Sequence, residues 1–488
     1  MSDKSRREFL KTVGITTAVA GLSTFIPEGR ADSESHTSKH HGKITKENHH
    51  GKPNIIFLFS DDQSVPDMGC YGNNVVNTPN LDGIAKEGAI FNRAYVTCPQ
   101  CSPSRASILT GRSPHAVGAT RLHSDAFPEF KNIVTMLKEG GYYTGAYRKV
   151  HQKLIRKEFD FDGGEEGALS AFFEQRDKEQ PFFLWFGSND PHRPYSDGAF
   201  TPAHKPEEVI VPDFLPDTIE VRKDLAHYYD EIARFDKECG DILAIVNENG
   251  LAENTMIVMA GDNGMPFPRA KATLYEPGIN VPLIIKWPKG IKAGMVSDEL
   301  VSLVDLSATW LEMAGIDVPK TFEGISLLPH ITGNMESIPR DFIFVERNWH
   351  DNWSPMRGVV TKDYKLIQNY RYEAGYLPSL DLLESPSFQE IKRLGNAGQL
   401  DGRLTWYLSS TLPLTELYDL RSDHGEWINL ADKESYKSVK EDLENAVSKW
   451  MFDTNDFLPP LRGSFPPEYP QYVNINPING GVDWPPKK

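Results

Sequence analysis

Four short apolar runs constrain this chain most, because each one stops at residues that carry chemistry. They read NIIFLF (54–59), YYTGAY (142–147), PFFLWFG (181–187) and TMIVMAG (255–261). NIIFLF is apolar at successive positions, as a strand covered on both faces must be. Helical patterns separate the runs, which predicts an α/β fold built on a large, mainly parallel sheet flanked by helices. The runs end in Ser60-Asp61-Asp62, Arg148-Lys149-Val150-His151, Ser188-Asn189-Asp190-Pro191-His192 and Asp262-Asn263-Gly264. In parallel sheets, ligands bind beyond the carboxyl ends of the strands. One acidic pair after a strand reads as a solvated loop. Four such endings in one chain argue for a site.

Leu225, Tyr229, Ile232, Phe235, Cys239, Ile242 and Val246 recur at helical spacing within 222–250, and Gly250 is a natural stop. Cys239 on that stripe reads as a buried structural thiol. After about residue 335 the texture changes to FIFVE, GVVTK and YKLIQNY, long Pro-containing connections and a helix near 435–452. The expected organisation is a catalytic α/β domain at 53–335. A smaller C-terminal α+β domain with an antiparallel sheet and a Pro-rich tail follows at 336–488.

Residues 1–31 contain Ser5-Arg6-Arg7-Glu8-Phe9-Leu10-Lys11 and then a modest apolar stretch. This looks like a signal for the twin-arginine export machinery, and the apolar stretch is too short and polar to span a membrane. The expected location is periplasmic or extracellular. Residues 32–52 are polar and His-rich, and read as a disordered linker. The net charge of −16 argues against a nucleic-acid partner. It does not exclude an anionic small substrate, because a pocket can be locally positive.

The stretch TCPQCSPSRASILTGR (97–112) holds two of the chain's four cysteines. Pro103 fits the start of a helix that runs to Gly111, which sets Cys101 at a helix N-terminus, where backbone N–H groups favour negative charge. Arg105 lies one turn on, along the same face. Cys98 and Cys101 match a redox pair, or half of a zinc site, as far as their spacing goes. Neither reading employs the four strand ends.

Cys101-Ser102-Pro103-Ser104-Arg105 followed by LTGR resembles the signature of type I, formylglycine-dependent sulfatases of the alkaline phosphatase superfamily. In that family a formylglycine-generating enzyme oxidises the cysteine. The resemblance implies an alkaline-phosphatase-like fold. It implies metal ligands at Asp61, Asp62, Asp262, Asn263 and the modified Cys101. Catalytic roles follow for Cys101, Arg105, Lys149, His151, His192 and Lys271. CSPSRASILTGR, DPHRPYSDGAF, FPRAKATLYEPG, SPMRGVVTKDYKLIQN, SPSFQE and TELYDLRSD are most similar to the branch that hydrolyses N-sulfoglucosamine. Lys271 and Glu276 depart from that branch, which has Arg and Trp there, and agree with sulfatases generally.

An oxygen-only ligand set of this kind suits Ca2+, with Mg2+ open as well. The implied activity is hydrolysis of a sulfate ester or sulfamide on a sulfated saccharide, either N-sulfoglucosamine or an O-sulfated sugar. Phosphate or phosphonate ester hydrolysis and non-catalytic binding of a sulfated glycan are the other readings. His123, Arg193, His350, Asp351 and Arg357 are candidates for gripping the sugar, and a loop or interface role suits each about as well.

Overall fold

The computed structural model describes residues 51–164, 169–400 and 402–458. The export-signal segment, most of the His-rich segment and the Pro-rich tail lie outside these residues. Among the described residues no helix is long and apolar enough to cross a membrane.

Asn54–Ser60, Phe182–Gly187 and Thr255–Gly261 are strands buried at every residue. Alternation divides the core between two faces. Ile55, Phe57 and Phe59 join Trp185 and Trp310 in one cluster, while Ile56 and Leu58 join Leu184, Phe235 and Cys239 in the other. Trp310 comes from the helix Asp305–Met313, and Phe235 and Cys239 from the long helix Ile219–Glu248. Helices therefore cover both faces of the sheet.

The sheet has eight strands, in the order Phe161–Asp162, Tyr143–Arg148, Phe182–Gly187, Asn54–Ser60, Thr255–Gly261, Leu283–Lys286, Ala89–Phe91, Met295–Ser297. The first five run parallel, and Leu283–Lys286 is antiparallel to both its neighbours. Phe59 pairs with Gly187, Gly187 with Arg148, and Ser60 with Gly261. That register brings the four chemistry-bearing endings to one edge.

The long helix begins at Ile219, before the expected Arg222, because the Thr218 side chain accepts from the Val221 N–H and caps it. Its apolar stripe is buried as expected, and Gly250 just beyond it takes a φ of 66°. The C-terminal part holds a four-stranded antiparallel sheet of Ile343–Trp349, Trp353–Val360, Tyr364–Asn369 and Thr415–Asp419. The helix Lys437–Asp453 supplies Leu443 and Val447 to a cluster with Val359, Leu366 and Leu417.

Candidate active site at the strand ends

The helix holding Cys101 runs Cys101–Thr110 and is buried at all ten residues. It begins two residues before Pro103, so Cys101 occupies its first turn. Gly111 closes it in the left-handed region at φ 65°. Beside Cys101 lies a cavity of about 280 Å³, whose lining includes His123, Lys149, His151, His192, Lys271, His350 and Asp351.

Strain concentrates here. Eight non-glycine residues among those described have positive φ. Asp62, His123 and His151 are three of them, while Arg148 and Ala272 adjoin Lys149 and Lys271. Such conformations cost energy and persist where surrounding contacts over-determine them. Gly187 allows a close approach at the same edge. A Cβ there would lie 1.9 Å from the Lys149 carbonyl oxygen and 2.8 Å from Arg105 Nη1.

Beneath the cavity, Asp61, Asp62 and Asp262 are fully buried, with carboxylate oxygens within 4.8 Å of one another. Asn263 Nδ2 donates to Asp62 Oδ1 at 2.7 Å, which turns its own Oδ1 away. That Oδ1 and Asp61 Oδ1 are buried, with no hydrogen-bond partner among the described residues. Buried acceptors without donors are rare and costly. Two of them beside three converging carboxylates fit a hard divalent cation.

The cationic side chains brace this cluster. Arg105 Nε donates to Asp262 Oδ2 at 2.8 Å and its Nη1 to the Lys149 carbonyl at 2.6 Å. Lys149 pairs with Asp61, and Lys271 donates to Asp62 Oδ2 at 2.7 Å. Burial opposes ionisation of Asp61, yet Lys149, His192 and Arg105 hold its carboxyl well below the usual range. Burial and the charge of Asp61 push Asp262 up, despite Arg105. Burial also lowers His151, to about 2, with Lys149 and Arg105 adding to the effect. His151 is therefore a neutral imidazole with an unpartnered Nε2.

Burial pushes the Cys101 thiol up to about 12, against the opposing charge of Lys149. That direction disfavours the thiolate that redox chemistry needs. Cys98 is buried and free. Among the described residues no cluster of metal-ligating side chains contains both cysteines, so the zinc reading has no partners. Cys98→Ala is expected to retain the protein's activity within about twofold, because the side chain is a small buried filler. A large loss of activity at an unchanged melting temperature would give Cys98 a chemical role.

Three of the expected site residues lie off the cavity lining. Arg105 is fully buried, bonded to Asp262 and the Lys149 carbonyl, with its Nη2 without a hydrogen-bond partner among the described residues. Arg193 is held by Asp224 through two 2.7 Å bonds and lies over the rings of Tyr195 and Phe267. It lines a neighbouring cavity of about 510 Å³. Arg357 is fully buried and engages Asp456 with two nitrogens, away from the cavity lining. Of the other candidates for gripping a sugar, His123 lies near His151 with ring centroids 5.4 Å apart and planes tilted by 47°, and His350 Nδ1 is 2.7 Å from Asp351 Oδ2.

One residue escaped the sequence reading. Asp381 lines the cavity and accepts from Lys271 Nζ at 2.7 Å, across 110 residues of sequence. The sequence offers no signal for it beyond its nearness to SPSFQE, since SLDLLE reads as an ordinary turn and short helix.

Comparisons with known proteins identify the family. The sulfatase family model matches residues 53–168 and 165–316, and the N-sulphoglucosamine sulphohydrolase C-terminal model matches 269–400. The chain is 31% identical to human N-sulphoglucosamine sulphohydrolase, covering 83% of this chain and 90% of that protein. It is 30% identical to an ulvan-active sulfatase of Formosa agariphila, covering 83% and 76%. Among solved structures, BT4656 with its substrate D-glucosamine-2-N,6-O-disulfate aligns with a TM-score of 0.62 at 22% identity, covering 83% of this chain and 98% of that one. BT1596, a 2-O glycosaminoglycan sulfatase, aligns with a TM-score of 0.64 at 20% identity, covering 83% and 93%. With a family match over more than half its length, this chain belongs to the sulfatase family.

Proposed function

We propose that this chain removes sulfate from a sulfated saccharide, with the N-sulfate of glucosamine as the bond it cleaves and Cys101 matured to formylglycine. The observation that carries the reading is Cys101 on a small cavity, with three buried carboxylates beneath it and two lysines and four histidines around it. The name and extent of the human relative support the N-sulfate assignment. Glu276 does not weigh against it. That residue pairs with Lys365 at 2.6 Å and lines a different cavity, so its departure from the N-sulfatase branch lies outside this site. Lys271 does lie in the site, and it keeps O-sulfate hydrolysis as the second reading.

Asp61, Asp62, Asp262 and Asn263 would hold the divalent cation, which when bound supplies Lewis-acid polarisation of a sulfate oxygen. Matured Cys101 supplies two hydroxyls on one carbon, one to attack sulfur and one to help expel sulfate. Lys149 and Lys271 present ammonium groups to the sulfate and stabilise charge as the bond breaks. Asp262, one of the carboxylates facing residue 101, takes the proton of the attacking hydroxyl. His192 donates Nδ1–H to the Arg193 carbonyl, so it protonates the leaving group from Nε2 only as the doubly protonated imidazolium, with the Asp62 and Asp381 carboxylates 3.8 and 3.9 Å from that nitrogen. His151 accepts a proton at Nε2 in the step that frees sulfate. Arg105 keeps Asp262 and the Lys149 backbone in register.

The test is free sulfate release from N-sulfoglucosamine and from 6-O-sulfo-N-acetylglucosamine, with Cys101→Ala as control. Release from the first supports the reading. Release from the second alone makes the protein an O-sulfatase. The mass of the Cys101 peptide separates an enzyme from a glycan binder: an aldehyde supports the enzyme, and an unmodified thiol with no sulfate release supports the binder.

Chelation is expected to abolish release and to lower the melting temperature, because the buried carboxylates are then left to repel one another. Calcium or magnesium should restore both. Activity and melting temperature that ignore a strong chelator would remove the cation from the proposal.

A further inference from the structure

Asp381 is a negative group on the cavity wall, with a carboxylate oxygen within 4.8 Å of ligand atoms of Asp62 and His192. One oxygen accepts from Lys271 Nζ at 2.7 Å and stands 3.9 Å from His192 Nε2. The other accepts from the Leu382 N–H at 3.1 Å. Each carboxylate oxygen has two lone-pair directions, so both keep acceptor capacity, and the side chain is 19% exposed. The carboxylate belongs to the connection after the C-terminal sheet strand Tyr364–Asn369, on the short helix Leu380–Leu383.

A carboxylate in this position is costly for one leaving group and useful for another. The bridging oxygen of a sulfate ester carries no hydrogen, and a carboxylate beside it meets only lone pairs and growing negative charge. The bridging nitrogen of a sulfamate carries one N–H. When the S–N bond breaks, nitrogen keeps the electron pair, takes a proton from His192 and becomes an amine. The amine becomes an ammonium in mildly acidic solution, while the sulfuryl group passes to the hydroxyl on residue 101. An N–H donor, and then a cation, face the carboxylate throughout.

We propose that Asp381 is the specificity-determining residue that selects sulfamate over sulfate ester, by accepting the N–H of the leaving nitrogen and then pairing with the product ammonium. The inference rests on the sulfohydrolase reading above. It goes further by assigning the preference to one side chain from the C-terminal part of the chain. His350 and Asp351 share the same wall: ligand atoms of His350, Asp351 and Asp381 lie within 4.8 Å of one another. His350 Nε2 is buried without a partner, so a hydroxyl of the same sugar can be held beside the nitrogen.

The experiment compares the wild-type protein with Asp381→Asn and Asp381→Ala, each checked by thermal melting. The first readout is kcat/KM for N-sulfoglucosamine relative to 6-O-sulfo-N-acetylglucosamine. The second is inhibition by glucosamine and by glucose, in mildly acidic buffer that keeps the amine protonated. Loss of a hydrogen bond to a charged group should lower the N/O ratio by roughly 10- to 100-fold. It should weaken glucosamine by about the same factor while glucose moves less than about twofold. Equal losses on both sulfated sugars, with glucosamine and glucose weakened alike, would show that Asp381 merely positions Lys271 and would overturn the inference. Wild-type protein that releases no sulfate from the N-sulfated sugar overturns the N-sulfate reading and this inference with it. A wild type active on that sugar, joined to variants with an unaltered ratio, overturns the inference alone.

Discussion

Cys101→Ala is expected to lower sulfate release by about 10,000-fold or more, the scale seen when the nucleophile of a covalent mechanism is removed. The effect should fall on kcat, with the melting temperature within a few degrees of wild type, since alanine leaves only a small void at the start of a buried helix. Unmodified Cys101→Ser separates the attacking role from the expelling one. Serine has a single oxygen on the reactive carbon, so it can take one sulfuryl group and has no second hydroxyl to release it. Intact-protein mass should then show one retained sulfate per molecule, without turnover. Steady turnover by Cys101→Ala would remove residue 101 from the chemistry.

Arg357→Ala is expected to act on stability instead. The guanidinium pairs with Asp456 through Nη2 at 2.8 Å and through Nε, lies 3.6 Å from Glu346, and donates to the Met356 carbonyl at 2.8 Å. Burial works against Glu346, yet His115 and Arg357 hold its carboxyl down at about 2. Removing the arginine leaves two buried carboxylates short of their cation, a change that costs about 3–5 kcal/mol. Against a typical total stability of about 5–15 kcal/mol, that is a large share. Urea denaturation should show the loss directly, while the KM of the molecules that remain folded stays near wild type. A raised KM with unchanged stability would return Arg357 to the sugar site.

The strand endings were legible because their chemistry is local. A buried parallel strand must be apolar throughout, so Asp61, Lys149, His192 and Asp262 stand out where each run stops. Register does the rest and was not needed to find them. The helix at Cys101 was legible for a similar reason, with Pro103 and Gly111 marking its two ends. The surroundings of the arginines were not legible. Arg193 and Arg357 carry the same charge as a sulfate-binding group, and only the fold reveals their pairing with Asp224 and Asp456. Asp381 was missed for the converse reason. Its partner Lys271 is remote in sequence, and nothing in SLDLLE distinguishes a site carboxylate from a solvated one. The strand Thr415–Asp419 follows a long connection and is too short to announce itself by alternation.

The complete enclosure of the Cys101–Thr110 helix also sets an order of events in the life of the chain. An enzyme that recognises CSPSR as a peptide needs that peptide extended and accessible. In the finished fold Ser102, Pro103, Ser104 and Arg105 are all covered, and Arg105 is locked to Asp262. Maturation of residue 101, as proposed above, would therefore have to precede closure of the fold over this segment, and protein folded with the thiol in place would have to unfold to be matured.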